Sequence, residues 1–308
     1  MALGGNPIFN GKNFRGATQA PPVPQAQYGQ NPYGQQYGQA PGRAPGQVMD
    51  AQGGWMAQQQ NMTHDQLQQM YNKPAAGPAE TGRMTFDDVI IKTAACLGVL
   101  MAGAAVTLFV SMPLASLLMI VGALGGFVLA LVNTFKKQPS PALILAYAGL
   151  EGLFLGGLTR ILDGLYPGVG LQAVIGTLSV FGVTLLLFKS GKVRATPKAM
   201  RFFMIALIGY AVFALVNMVM VMTGAVSEPF GLRTSVEIFG IPLGVFIGVL
   251  AIGLAAFALI MDFTSIEAGV RSGAPQRFSW TAAFGLTVTL VWLYVEIIRL
   301  LAILRGDE

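Results

Sequence analysis

The sequence is poor in the residues on which most catalytic and metal centres depend. One cysteine, Cys96, excludes an internal disulfide framework, and one histidine, His64, excludes any site needing two or more. Most zinc enzymes and bis-histidine haem proteins go with them. Charge is scarce too: 11% of the 308 residues, against roughly 25% in an average soluble protein. With 54% apolar residues, a single soluble globular domain is excluded. Nineteen basic and fourteen acidic residues leave +5, too little and too mixed with apolar sequence to point to nucleic acid.

Two halves differ in composition. Residues 1–82 hold 15 Gln, 13 Gly and 9 Pro, and Tyr-Gly-Gln recurs at Tyr28, Tyr33 and Tyr37. Such a stretch cannot bury enough apolar surface to offset chain entropy, so a disordered tail is expected, with at most a short helix at 64–71. No apolar run follows Met1, so no secretory signal is expected. The tail is a solvated tether or a segment that recruits protein partners.

Residues 83–308 are the reverse. Apolar runs near 89–111, 113–135, 141–160, 171–188, 202–223, 241–262 and 280–304 are each long enough to cross ~30 Å of hydrocarbon. The fold class is therefore all-α: a polytopic membrane protein with a bundle of seven transmembrane helices. Alternating ten-residue segments, the signature of a membrane barrel, are absent. Thr85 with Asp88 forms a capping-box pattern at the first helix, and Pro113 and Pro141 suit first-turn positions. Gly152-x-x-x-Gly156 and Gly244-x-x-x-Gly248 have the spacing that lets helix backbones approach closely.

Basic residues set the expected orientation. Arg83, Lys92, Lys136, Lys137, Lys189, Lys192, Arg194, Lys198, Arg201, Arg271 and Arg277 fall on the side of the tail. Arg160, Arg233, Arg299 and Arg305 fall on the other. The tail is then cytoplasmic and the C-terminus outside. The connection 189–201 is rich enough in positive charge to attract anionic lipid headgroups, though a plain topology signal explains it as well. Gly191-Lys192 lacks the upstream glycines of a phosphate loop.

A charge in hydrocarbon is costly, so the acids left inside the spans are the candidate functional residues. Glu151 lies ten residues into the third span, about 15 Å deep. Glu296 lies sixteen residues into the seventh, about 24 Å. Asp262 is placed close to the cytoplasmic end of the sixth, and Arg160 and Asp163 at a helix end where they reach water. Buried carboxylates resist ionisation and a close pair titrates as a unit. Ionised, they attract a hard cation such as Ca²⁺, which prefers oxygen ligands. Protonated, they share hydrogen bonds and lock helices together. Glu296 and Arg299, three apart on one helix face, also suit a simple ion pair.

Other chemistries lack parts. No span has an interior lysine for a retinal Schiff base, and none has a histidine for a serine protease. Asp163 lies in Leu162-Asp163-Gly164 and lacks the context of a second protease aspartate. Cys96 stands alone and reads as a small packing residue. The chain is expected not to be an enzyme, and no resident cofactor is expected.

Leu150-Glu151-Gly152-Leu153 with Gly156, then Met261-Asp262-Phe263-Thr264-Ser265-Ile266, then Leu293-Tyr294-Val295-Glu296-Ile297-Ile298, resemble in this order three markers of the Bax inhibitor-one family, also called the transmembrane Bax inhibitor motif family. The resemblance covers roughly 84–304, and the tail is similar to that of a bacterial branch. It implies a seven-helix fold with one central helix and a pH-sensitive Ca²⁺ leak. It also implies a proton-sensing pair of acids on helices six and seven, here Asp262 and Glu296, the second a glutamate that reaches one methylene further. Glu151 remains the alternative partner. A basic residue at the cytoplasmic end of helix two belongs to the family's leak, and Lys136 or Lys137 occupies that region. The expected function is a proton-gated cation leak of the plasma membrane, with Ca²⁺ at Asp262 and Glu296 and with Arg299, Lys136 or Lys137 as counter-ions. The alternative is a non-conducting membrane scaffold whose tail recruits partners.

Overall fold

A computed structural model describes residues 82–191 and 195–306. The expected tail, its helix at 64–71 and Lys192 and Arg194 lie outside the described residues.

Seven long helices follow one another: α1 (Phe86–Phe109), α2 (Met112–Phe135), α3 (Pro141–Leu165), α4 (Val169–Lys189), α5 (Pro197–Met222), α6 (Leu243–Arg271) and α7 (Ser279–Gly306). All seven are long and apolar enough to cross a membrane. Their starts obey local chemistry. Thr85 Oγ1 accepts from Asp88 N at 3.1 Å while Asp88 Oδ2 accepts from Thr85 N at 3.3 Å, so the two residues satisfy each other's free amides. Proline opens α2, α3 and α5, where a missing N–H leaves no bond unmade.

Two ends differ from expectation. α6 does not stop at Asp262 but runs nine residues further, to Arg271. Its polar residues there are satisfied locally. Thr264 and Ser265 donate to the carbonyls one turn back at 2.7 and 2.8 Å, and Glu267 pairs with Arg271 at 2.6 Å. The helix ends only where Gly273 adopts a left-handed conformation ahead of Pro275. Asp262 therefore lies about 13 Å from that end, deep in the helix. Likewise α3 continues to Leu165, so Arg160 and Asp163 are half-buried helical residues. Arg160 donates to Thr107 O at 2.8 Å and to Val110 O, closing the open end of α1. Asp163 Oδ1 accepts from Gly168 N and Gly170 N at 2.9 and 3.2 Å and caps α4.

Lipid chains are as apolar as leucine, so helices in a bilayer gain little from hiding apolar side chains from one another; close packing holds them. α3 lies between α1 and α2 on that basis. A Cβ on Gly156 would stand 2.6 Å from Ala104 Cα, and one on Gly157 2.6 Å from Met119 Cβ. α7 touches α1, α3, α4 and α6 and is the most enclosed helix; Phe284 on it meets Tyr147 of α3 edge to face at 5.0 Å. This is the central helix of the bundle. α5 is the opposite, with Phe203 as its single buried residue.

The connection between α5 and α6 is not a plain loop. It contains a helical turn, Leu232–Ser235, and a two-stranded hairpin, β1 (Glu237–Ile238) paired antiparallel with β2 (Ile241–Pro242). Phe239 and Gly240 form the hairpin's tip with φ of 56° and 76°.

Candidate functional site

Glu296 sits on the enclosed side of α7 and is 2% exposed. Three groups surround its carboxylate. Arg299, one turn on, gives Nη1 to Oε1 at 3.0 Å. The Tyr210 hydroxyl of α5 donates to the same oxygen. Arg233, from the turn Leu232–Ser235, gives Nη1 to Oε2 at 3.4 Å and Nη2 to the Tyr210 hydroxyl at 3.0 Å. Its guanidinium also lies 5.7 Å from the centres of both the Tyr210 and Phe213 rings.

Arg233 is 3% exposed. The sequence counts it only among the basic residues of the side opposite the tail; the structure folds it inward. The turn folds back against α5 because Asn217 clasps it: Oδ1 accepts from Leu232 N at 2.7 Å and Nδ2 donates to Phe230 O at 3.2 Å. Gly231, at φ 62°, makes the reversal, and a Cβ there would run into the Asn217 amide. Two guanidiniums thus face one carboxylate, and the cluster is formally +1. An approaching cation would meet net repulsion in this arrangement.

Asp262 is fully buried, beside an earlier turn of α7. Thr289 of α7 places Oγ1 2.7 Å from Asp262 Oδ2 and 3.1 Å from Gly285 O. A hydroxyl has one hydrogen to give. With Asp262 ionised, that hydrogen goes to Oδ2. With Asp262 protonated, the carboxyl donates to Thr289, whose hydrogen turns to Gly285 O. The Thr289 hydroxyl thus has one arrangement for each protonation state of Asp262.

Asp262 and Glu296 do not share a proton here. Thr289 and Glu296 are seven residues apart on α7, about 10.5 Å along its axis, so the two acids occupy separate stations. Nor is Glu151 the partner of either. It lies on the α2–α3 seam, where a Cβ on Gly126 would be 2.9 Å from its Oε1, with Tyr147 one turn earlier on α3 as its electrostatic neighbour. Lys136 and Lys137 are exposed at the end of α2, and among the described residues no ion pair joins them to an acid. Their distance follows from chain direction: α2 delivers them to the end of the bundle, whereas Glu296 is held within it.

Among the described residues no three His, Cys, Asp or Glu side chains gather as a metal centre would require. A Ca²⁺ ion takes six to eight oxygens, of which a single carboxylate supplies two. Arg233, Tyr210 and Thr289 were not singled out in the sequence. The available signal is a hydroxyl inside a membrane span, Tyr210 in α5 and Thr289 in α7.

A family model described as Bax inhibitor 1 like matches residues 6–306. No curated protein matches the chain.

Proposed function

The chain is a polytopic membrane protein of the Bax inhibitor 1 like family, and on that footing we propose that it is a proton-sensitive cation leak of the plasma membrane, with Ca²⁺ as its first cargo. The observation that carries this reading is the burial of Asp262 and Glu296, 0% and 2% exposed, on transmembrane helices. An intramembrane acid that served only packing could be replaced by leucine without the cost of placing an ionisable group in hydrocarbon.

The two stations divide the work. Asp262, facing Thr289, is the proton sensor, because its hydrogen-bond arrangement changes with one proton. Glu296, facing Tyr210, Arg233 and Arg299, is the cation station, shut in the arrangement described above. Glu151 lines the α2–α3 side of the path. Lys136 and Lys137 act at the membrane surface. The tail lies in the cytoplasm, the C-terminus outside, and the protein performs no covalent chemistry. Anionic lipid meets the basic connection 189–201, and the tail is available to protein partners.

Proteoliposomes loaded with a Ca²⁺ dye test the proposal. Wild-type protein is expected to leak with a rate that depends on pH, and Asp262→Asn to remove that dependence. If Asp262→Asn and Glu296→Gln leave both the rate and its pH response unchanged, the mechanism is wrong. Absence of any leak from the wild type would favour the non-conducting scaffold, which deletion of residues 1–82 would then disable.

A further inference from the structure

Arg233 reaches Glu296 from outside the long helices, on a turn that Asn217 clasps to α5, and this marks it as something other than a strut. A guanidinium is planar and presents its N–H groups as a fork. Here one arm of the fork meets Glu296 Oε2 and the other the Tyr210 hydroxyl, while the Tyr210 and Phe213 rings flank it. Carboxylate, hydroxyl and two ring faces are the elements of a receptor for a flat organic cation.

We propose that Glu296, Tyr210 and Phe213 form a binding site for a guanidinium-type cation, which Arg233 fills as a ligand supplied by the protein's own connection between α5 and α6. Arg233 is then a positioning residue for the leak: it holds the cation station occupied, and the path opens when the turn withdraws. This rests on the leak reading for its consequence but not for the site itself. Three features favour withdrawal. Apart from Arg233's own bonds, Asn217 is the side chain that ties the turn to a helix among the described hydrogen bonds. α5, which carries Asn217, Tyr210 and Phe213, is the least buried helix. And Arg299 stays with Glu296 through the shared helix, so the carboxylate keeps one counter-charge when Arg233 leaves.

Chemical rescue tests this. Arg233→Ala empties the site, and ethylguanidinium should refill it with a dissociation constant near the millimolar range. At about 10 mM it should raise the unfolding temperature of Arg233→Ala by about 3 °C, while ethylammonium does not and the wild type is indifferent to both. In proteoliposomes Arg233→Ala should leak at least roughly fivefold faster than wild type, and ethylguanidinium should slow it again. Gly231→Ala, which keeps the arginine but pushes the turn off Asn217, should behave in the same way. Ethylguanidinium-specific stabilisation without a leak from any of the proteins would uphold the site and sink the leak. The inference itself is overturned if neither variant shows that stabilisation, if the wild type or ethylammonium shows it equally, or if both variants fail to fold, which would make Arg233 a structural strut.

Discussion

Arg233 and Glu296 are 63 residues apart in the chain and meet inside the bundle, Nη1 to Oε2 at 3.4 Å, with side chains 3% and 2% exposed. Neither is isolated, since Glu296 also pairs with Arg299 and Arg233 also bonds to Tyr210. The pair ties the α5–α6 connection to the most enclosed helix of the molecule.

Removing the acid alone leaves two guanidiniums without their carboxylate. Glu296→Gln is therefore expected to cost about 3–5 kcal/mol, the range for breaking a buried pair from one side. Equilibrium unfolding in mixed micelles measures it. The double variant Arg233→Met with Glu296→Gln should lose less than the sum of the two singles. Additive losses would show that the two side chains do not interact.

Thr289 is expected to matter through its hydroxyl alone. Thr289→Val keeps the shape but leaves Asp262 Oδ2 without that donor, at a cost of about 1–3 kcal/mol. Thr289→Ser should restore most of it. If Thr289 follows the Asp262 proton, Thr289→Val should also alter the pH response of stability, and Thr289→Ser should not. An identical pH profile in all three proteins would refute the coupling.

The seam between α1 and α3 gives a steric prediction. A methyl group on Gly156 would fall on Ala104 Cα at 2.6 Å, whereas one on Gly98 meets nothing within 4 Å. Gly156→Ala should cost about 1–3 kcal/mol as an overpacked contact. Gly98→Ala should be neutral or mildly stabilising, since alanine suits a helix interior better than glycine. Thermal unfolding of the two variants side by side settles it, and equal effects would contradict the packing described.

Asn217→Ala isolates the clasp. It removes the side chain that binds Leu232 N and Phe230 O and touches neither charge. Hydrogen exchange should rise at residues 230–235 and stay unchanged in α7. Unaltered protection of the turn would mean that other contacts hold it.

How far the sequence carried the structure can be judged at these residues. Hydropathy was enough to find all seven helices, because a bilayer demands about twenty apolar residues per crossing and permits few charges. The same rule exposed Glu151, Asp262 and Glu296 as exceptions. Periodicity said nothing of where α6 ends, since Thr264, Ser265 and Glu267 look like loop residues until their local hydrogen bonds are seen. Arg233 was hidden for a different reason. It lies in a polar connection, where a charge is ordinarily solvated, and only the fold shows that Gly231 and Asn217 turn it inward. The sequence marks Asp262 and Glu296 as acids inside spans, and both are buried. Their separation depends on the level of α7 that Asp262 meets, the turn of Thr289 rather than that of Glu296, and a linear sequence does not contain that.

Gly152 brings the backbone of α3 directly against the backbone of α1, and Gly156 lies against the backbone of Ala104 and the Thr107 hydroxyl. Helices joined in that way resist sliding, because each backbone atom is a fixed obstacle to the other. α5 has no such key, and Phe203 alone is buried along its length among the described residues. The molecule is thus mechanically unequal, a stiff block bearing one loose stave, and thermal agitation of its shape will concentrate in the stave that carries Tyr210, Phe213 and Asn217.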